Sequence, residues 1–304
     1  MWPRSPADHT LEAVMNRVVT VGLDGTPESL TAARWAAREA ELRGVTLRMM
    51  HAWVLLSEEW DEPPTARDDP NYWPKWIVEQ ARRSVEPLHP GLPVVEDLVA
   101  EDPVDALLAA AEESELLVLG SRDMAPLASY FLGDIGLHLM VHARAPTVFV
   151  RERDDSVPAT DDGDVAVALG LHGPCDELLE FAFAAAARRG VTLRAVHGRN
   201  LPASAYTRGG IVADPYLPGV VIRSAQRELA DALRPWREKY PDVPVADTVR
   251  AESPARALVR GAAGAGLLAV GRRERHPRTA VRVGNVLGAA VHHAPCPVAI
   301  VPHG

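Results

Sequence analysis

A repeated hexapeptide constrains the fold of this chain more than any other feature. RGVTLR occurs at 43–48 and again at 189–194, and each copy is followed after two residues by a histidine, His51 and His197. Three further pairs keep the same order: AEDPVDAL at 100–107 with AESPARAL at 251–258, ELLVLGSR at 115–122 with GLLAVGRR at 266–273, and HARAPTVFV at 142–150 with HAPCPVAIV at 293–301. A repeat of about 150 residues has the length of a domain. The 304-residue chain is therefore predicted to be a tandem duplication.

The boundary between the two copies falls in a polar segment. DDSVPATDDG at 154–163 is rich in turn-forming residues and has no apolar periodicity, which is typical of a linker. We accordingly expect a first domain at 1–153, a linker at 154–163 and a second domain at 164–304.

Within the first copy, short apolar runs alternate with helical segments. Strands are expected at 17–23, 45–53, 92–100, 115–120 and 145–150, with helices from Thr26 to about Leu42 and near 75–87, 103–113 and 133–143. Thr26 is a plausible N-cap, Pro27 suits the first helical position, and Gly44 follows the expected end. Alternating strands and helices predict an α/β fold of Rossmann-like type, with a parallel sheet covered on both faces.

Composition narrows the class of protein. The net charge of -9 argues against general affinity for nucleic acid or for anionic membranes, and no apolar run reaches the length of a membrane span. Only two cysteines occur, Cys175 and Cys296, which favours two thiols in a reducing, cytoplasmic compartment over a disulfide framework.

Four segments carry a resemblance to a known family: VVTVGLDGTPESLTAARWAAREAELRGVTLRMMHAW, EDPVDALLAAAEESELLVLGSR, and the two closing segments HARAPTVFV and HAPCPVAIV. Together they resemble the universal stress protein family in its tandem form. This resemblance implies two five-stranded domains of the adenine nucleotide alpha hydrolase type and a role in stress adaptation. It also implies domain pairing through the final strand, as an intrachain pseudo-dimer or between chains in a homodimer.

In the nucleotide-binding branch of that family, an aspartate follows the first strand and a G-x2-G-x9-G-[ST] loop follows the fourth. The resemblance assigns Asp24 to the aspartate, Gly120 and Gly133 to the outer glycines, and Ala52 to a backbone contact with adenine. Glycines let backbone N–H groups approach phosphate, and a helix N-terminus favours an anion. The first domain is thus a candidate site for ATP with Mg²⁺.

Two residues depart from the loop pattern. Asp123 replaces the middle glycine and Asp134 replaces the hydroxyl residue, so carboxylates stand near the expected phosphates. Arg122 or a divalent cation would offset part of the repulsion. Alternatively, Asp134 only places a negative charge at a helix N-terminus, Asp123 is an ordinary loop residue, and Gly120 and Gly133 only allow the chain to turn.

The second copy departs further. His172 stands at the position of Asp24, Glu274 and Asn285 replace the middle glycine and the hydroxyl residue, and only Gly271 and Gly284 remain. Its loop is rich in basic residues, namely Arg272, Arg273, Arg275, His276, Arg278 and Arg282, which form either an anion site or a solvated surface.

An aromatic segment and two histidine pairs each have more than one interpretation. The segment 57–76 combines Trp60, Tyr72, Trp73 and Trp76 with six carboxylates and is either a lid, a partner surface or a segment tucked against its helix. The pairs His138/His142 and His292/His293 have metal-ligand spacing but are more typical of helix surfaces. The sequence contains no recognisable catalytic motif, so three functions remain: a nucleotide sensor, an ATP-independent interaction scaffold with a closed pocket, and a slow ATPase.

Overall fold

The chain divides into two compact units, Met1–Arg153 and Asp154–Gly304. The structure, a computed structural model, describes residues 18–54, 72–121, 133–151, 163–201, 217–273 and 284–304. Most of the expected linker, the aromatic segment up to residue 71 and most of both loops that follow the fourth strands lie outside these ranges.

The first unit is a five-stranded parallel sheet with four helices among its described residues. Its strands are β1 (Val18–Gly22), β2 (Thr46–Ala52), β3 (Val94–Val99), β4 (Leu116–Ser121) and β5 (Thr147–Arg151). Its helices are α1 (Pro27–Arg43), α2 (Tyr72–Val85), α3 (Pro103–Glu112) and α4 (Gly133–His142). The strand order is β3-β2-β1-β4-β5, so the order reverses beside β1.

The second unit has the same arrangement. Its strands are β6 (Asp164–Ala168), β7 (Leu193–Gly198), β8 (Val245–Arg250), β9 (Ala265–Arg273) and β10 (Val298–His303). Its described helices are α5 (Asp176–Arg189), α6 (Leu217–Lys239), α7 (Pro254–Gly261) and α8 (Asn285–His293). The order β8-β7-β6-β9-β10 is again parallel throughout, which confirms the predicted pair of α/β domains.

The repeated hexapeptide has a structural role in both units. Gly44 and Gly190 end α1 and α5 in the left-handed conformation, at φ 65° and 64°, which glycine adopts without steric cost. Arg48 donates a hydrogen bond of 2.8 Å to the carbonyl of Ala110 at the end of α3. In the second unit Arg194 donates to the carbonyl of Ala263 just beyond α7, also at 2.8 Å. The arginine thus ties the second strand to the end of the helix that follows the third strand.

The two histidines after the hexapeptide are equivalent as well. Nδ1 of His51 lies 2.7 Å from the carbonyl oxygen of Leu23, and Nδ1 of His197 lies 2.8 Å from that of Leu169. Because a carbonyl only accepts, each ring donates from Nδ1. Each imidazole therefore joins the carboxyl ends of two adjacent strands.

Helices cover both faces of the first sheet. A Cβ atom at Gly22 would meet Leu107 of α3, whereas a Cβ atom at Gly120 would meet the backbone of α1. Since Gly120 follows Leu119, the β-strand partner of Gly22, the two glycines point to opposite faces. No helix among the described residues is both long and apolar enough to cross a membrane.

Candidate functional site

A cavity of about 500 Å³ opens at the carboxyl ends of β1, β2 and β4, beside the strand at which the order reverses. Ligands of open α/β sheets bind at this kind of position. Its polar lining residues are Asp24, Thr26, Glu28, Ser29, His51, Ser121 and Asp134. The other lining residues are Gly22, Leu23, Met50, Ala52, Pro103, Leu107, Leu119, Gly120, Ile135 and Gly136.

Asp24 is held in a defined orientation by the turn that starts α1. Its Oδ1 accepts hydrogen bonds from the backbone N–H of Thr26 at 3.0 Å and from the Thr26 hydroxyl at 2.5 Å. The same hydroxyl accepts from the N–H of Ser29 at 3.3 Å, so Thr26 is the N-cap, as predicted. Gly25 permits the turn because its φ is 80°. The exposed carboxylate at the cavity mouth is therefore preorganised.

Gly120 lies at the end of β4, where the strand meets the first turn of α1. A Cβ atom at this position would lie 2.7 Å from the carbonyl carbon of Glu28 and 2.7 Å from the amide nitrogen of Ser29. Real Cβ atoms do not approach backbone this closely, so only glycine allows the contact. Gly120 thus has a structural reason to be glycine in addition to its position in the cavity lining.

The inner wall of the cavity is apolar. Met50 and Leu119 are almost completely buried in the neighbouring strands, and Leu107 of α3 is buried beneath them. Ala52, at the end of β2, and Pro103, at the start of α3, complete this wall. A flat apolar ring such as a nucleobase suits it.

The outer part of the cavity is acidic. Asp134 lies exposed in the first turn of α4, Asp24 lies exposed after β1, and Glu28 lies in the first turn of α1. All three line the cavity, and no lysine or arginine does so among the residues that the structure describes. Within the described part of this lining, the side chains of Asp24, Glu28 and Asp134 therefore supply only negative charge.

Four of the six predicted site residues come together in this lining: Asp24, Ala52, Gly120 and Asp134. Gly133 is the first residue of α4, directly before Asp134. Arg122, together with the departing Asp123, lies outside the described residues. Sequence reasoning missed Glu28, Pro103 and Ile135, although their places in the first turns of three crossover helices were a usable signal.

In the corresponding region of the second domain, the described residues pack closely around the strand ends. Gly198 matches Ala52, and a Cβ atom there would lie 2.6 Å from Cα of Pro254, so the start of α7 packs directly on β7. Arg273 donates a hydrogen bond to the carbonyl of His172, the residue that replaces Asp24. A Cβ atom at Gly271 would lie 2.6 Å from Nε2 of His303.

The thiols and histidine pairs add no chemistry to either region. Both cysteines are free, and burial first, then the nearby charges of Asp176 and Glu177, raise the pKa of the half-buried Cys175 above its ordinary value. A thiol with a raised pKa is a poor nucleophile. His138 and His142 stack at 4.5 Å between ring centroids, but no group of three or more potential metal ligands occurs in the described part of the chain.

Comparison with known proteins gives one consistent family. The model of the universal stress protein family matches residues 15–151 and 164–302. Universal stress protein Rv2005c of Mycobacterium tuberculosis is 33% identical over 298 residues, which cover 93% of this chain and 96% of that protein. The crystal structure of a universal stress protein from Archaeoglobus fulgidus has a TM-score of 0.64 at 16% identity and covers 95% of this chain and 99% of that one. A universal stress protein solved in complex with cAMP covers 45% of this chain at 23% identity, with a TM-score of 0.36.

Proposed function

Because this chain belongs to the universal stress protein family, with two such domains in tandem, we propose that its first domain binds ATP, with Mg²⁺, as a sensor or regulator in the response to stress. The proposed ligand-binding residues are Asp24, Ala52, Gly120, Arg122, Gly133 and Asp134. Binding, and not turnover, is the proposed activity.

The observation that carries this proposal is the cavity of about 500 Å³ at the switch point of the first sheet. Its size lies within the range of small-molecule sites, and an apolar inner wall with a few fixed polar groups is the usual composition of such sites. An open cavity favours ligand binding over the alternative of an interaction scaffold with a closed pocket.

Each part of the cavity suits one part of a nucleotide. The wall formed by Met50, Ala52 and Leu107 suits the faces of the adenine ring. The fixed carboxylate of Asp24 has a second oxygen with which to accept from ribose hydroxyls, since Oδ1 already accepts from Thr26. The N-terminus of α4 is where phosphates would lie. Mg²⁺ would bridge those phosphates and the carboxylate of Asp134.

The second domain is proposed not to bind nucleotide. His172 removes the carboxylate at the Asp24 position, the start of α7 packs closely on Gly198, and Arg273 donates a hydrogen bond to the carbonyl of His172. One nucleotide per chain is therefore expected.

Isothermal titration calorimetry of the full chain with ATP and Mg²⁺ tests the proposal. We expect one site per chain and a loss of affinity of at least about tenfold in Asp24→Ala, because the ribose hydroxyls then lose a charged acceptor. The matched control is Asp176→Ala, which removes an exposed aspartate from the first turn of α5 and should leave binding unchanged. No heat of binding in the folded wild type would favour the scaffold, and release of ADP during incubation would favour the slow ATPase.

A further inference from the structure

We infer that the first-domain cavity selects nucleosides and nucleoside monophosphates over metal-free nucleoside triphosphates. This inference rests on the proposed function, because it concerns the same cavity and names the chemical class of ligand that the lining accepts best. It follows from the uneven distribution of polar groups between the inner and outer parts of the cavity.

At the sugar side, the cavity offers a fixed acceptor. Asp24 is anchored through Oδ1 by two hydrogen bonds from Thr26, at 3.0 Å and 2.5 Å, and its carboxylate lies at the mouth of the cavity. An ionised carboxylate accepts hydrogen bonds and donates none. It therefore attracts the hydroxyl groups of a sugar and repels a phosphate.

At the phosphate side, the lining carries another carboxylate where donors are needed. Asp134 lies in the first turn of α4, so its own negative charge already offsets the positive end of that helix. Two like charges about 4 Å apart in water weaken association by about fivefold, and by more where water is partly excluded. Each additional phosphate charge brought to this helix meets that repulsion.

The second domain indicates that the fold does not require this carboxylate. The equivalent helix, α8, begins with Asn285 at the matching position and has no acidic residue in its first turn. Helix formation at this place in the fold is therefore compatible with an uncharged side chain. The charge of Asp134 acts on the cavity of the first domain, since Asp134 belongs to its lining.

Four calorimetric titrations of the full chain test the selectivity: adenosine, AMP, ATP with EDTA, and ATP with excess Mg²⁺. We expect adenosine and AMP to bind at least about tenfold more tightly than metal-free ATP, with Mg²⁺ restoring part of the loss because the cation bridges carboxylate and phosphate. Asp134→Asn should strengthen the binding of metal-free ATP about fivefold relative to that of adenosine, because adenosine carries no phosphate for the carboxylate to repel. Asp176→Asn makes the same change of net charge in the first turn of α5 and should alter neither affinity.

The outcomes separate this inference from the proposed function. If metal-free ATP binds as tightly as adenosine, or if Asp134→Asn changes both ligands alike, the selectivity inference is wrong while nucleotide binding stands. If none of the four titrations gives a binding isotherm with protein of native circular dichroism, both fail. Tighter binding of adenosine than of metal-free ATP, with the ratio of ATP affinity to adenosine affinity raised by Asp134→Asn, supports both.

Discussion

At the scale of single residues, Gly120 links the fold to the cavity. The backbone of Glu28 and Ser29 occupies the space in which a side chain at position 120 would lie. Gly120→Ala should therefore separate β4 from α1 and lower the free energy of unfolding by about 1–3 kcal/mol, the usual cost of overpacking. Chemical denaturation of the two proteins measures this difference.

The control for that substitution is Gly91→Ala. No atom lies within 4 Å of a Cβ atom built at Gly91, and its φ is not positive, so alanine should be tolerated there. Equal midpoints for wild type and Gly120→Ala would contradict the close approach of strand and helix.

The N-cap of α1 gives a second prediction at the residue scale. Thr26 accepts from the N–H of Ser29 and donates to Asp24, so Thr26→Ala should cost about 1 kcal/mol of stability. Ser253 is the N-cap of α7 but makes no side-chain capping hydrogen bond. Ser253→Ala should therefore have little effect in the same urea titration, and a larger loss at Ser253 than at Thr26 would refute this account of the two caps.

At the scale of secondary-structure elements, α5 and the end of α6 are joined by a small polar cluster. The hydroxyl of Tyr240 donates to Glu180 at 2.7 Å, and Lys239 forms an ion pair with the same carboxylate. Burial first, then the hydrogen bond to Glu180, raise the pKa of Tyr240 to about 12 from 10.0. Burial alone would raise the pKa of Glu180, but the hydrogen bonds from Lys239 and Tyr240 lower it below its ordinary value.

This cluster predicts a pH dependence with a definite sign. The folded phenol keeps its proton to a higher pH than the unfolded one, so its stabilisation is complete below pH 10.0 and is lost as the pH rises towards about 12. Tyr240→Phe should lose about 1 kcal/mol at neutral pH and should then show a shallower decline above pH 10. Urea denaturation at a series of alkaline pH values measures this, and parallel curves for the two proteins would show that the hydrogen bond contributes nothing.

The positions of the strands in the sequence could be predicted because buried parallel strands appear as continuous apolar runs. The run at 17–23 contains β1, Val18–Gly22, and the helix expected between Thr26 and Gly44 is α1, Pro27–Arg43. The start and end of α1 could be predicted as well, because Thr26, Pro27 and Gly44 act through local backbone geometry. The edge strand β3, Val94–Val99, lies within the expected run at 92–100.

The cavity was less predictable, for physical reasons. Pro103 and Ile135 lie at helix starts, which the sequence shows, but the packing of α3 and α4 against the sheet is what brings these starts into the lining. The close packing in the second domain was equally hidden, because the approach of Pro254 to Gly198 and the direction of Arg273 depend on tertiary packing. Asp24 and Asp134 could be identified because the family resemblance aligns them with a nucleotide-binding pattern, and because the strand end and helix start that they occupy are visible in the sequence.

At the scale of the whole molecule, one α/β fold occurs twice in the chain, with different residues at the carboxyl ends of its strands. Both copies keep the glycine that ends the first helix, the arginine that ties the second strand to the end of the helix after the third strand, and the histidine that joins two strand ends. These shared residues stabilise the domain itself. Among the described residues, the copies differ at the carboxyl ends of the strands, where Asp24 lines a cavity in the first copy and His172 accepts a hydrogen bond from Arg273 in the second.

Hydrogen–deuterium exchange of the full chain, with and without saturating Mg²⁺ and ATP, tests most directly whether the first domain alone holds the nucleotide. The account predicts slower exchange in the peptides around Asp24 and Ala52, and no change in the matching peptides around His172 and Gly198, which serve as the internal control. Protection around His172, or equal exchange in all four peptides at a nucleotide concentration that saturates binding, would contradict it.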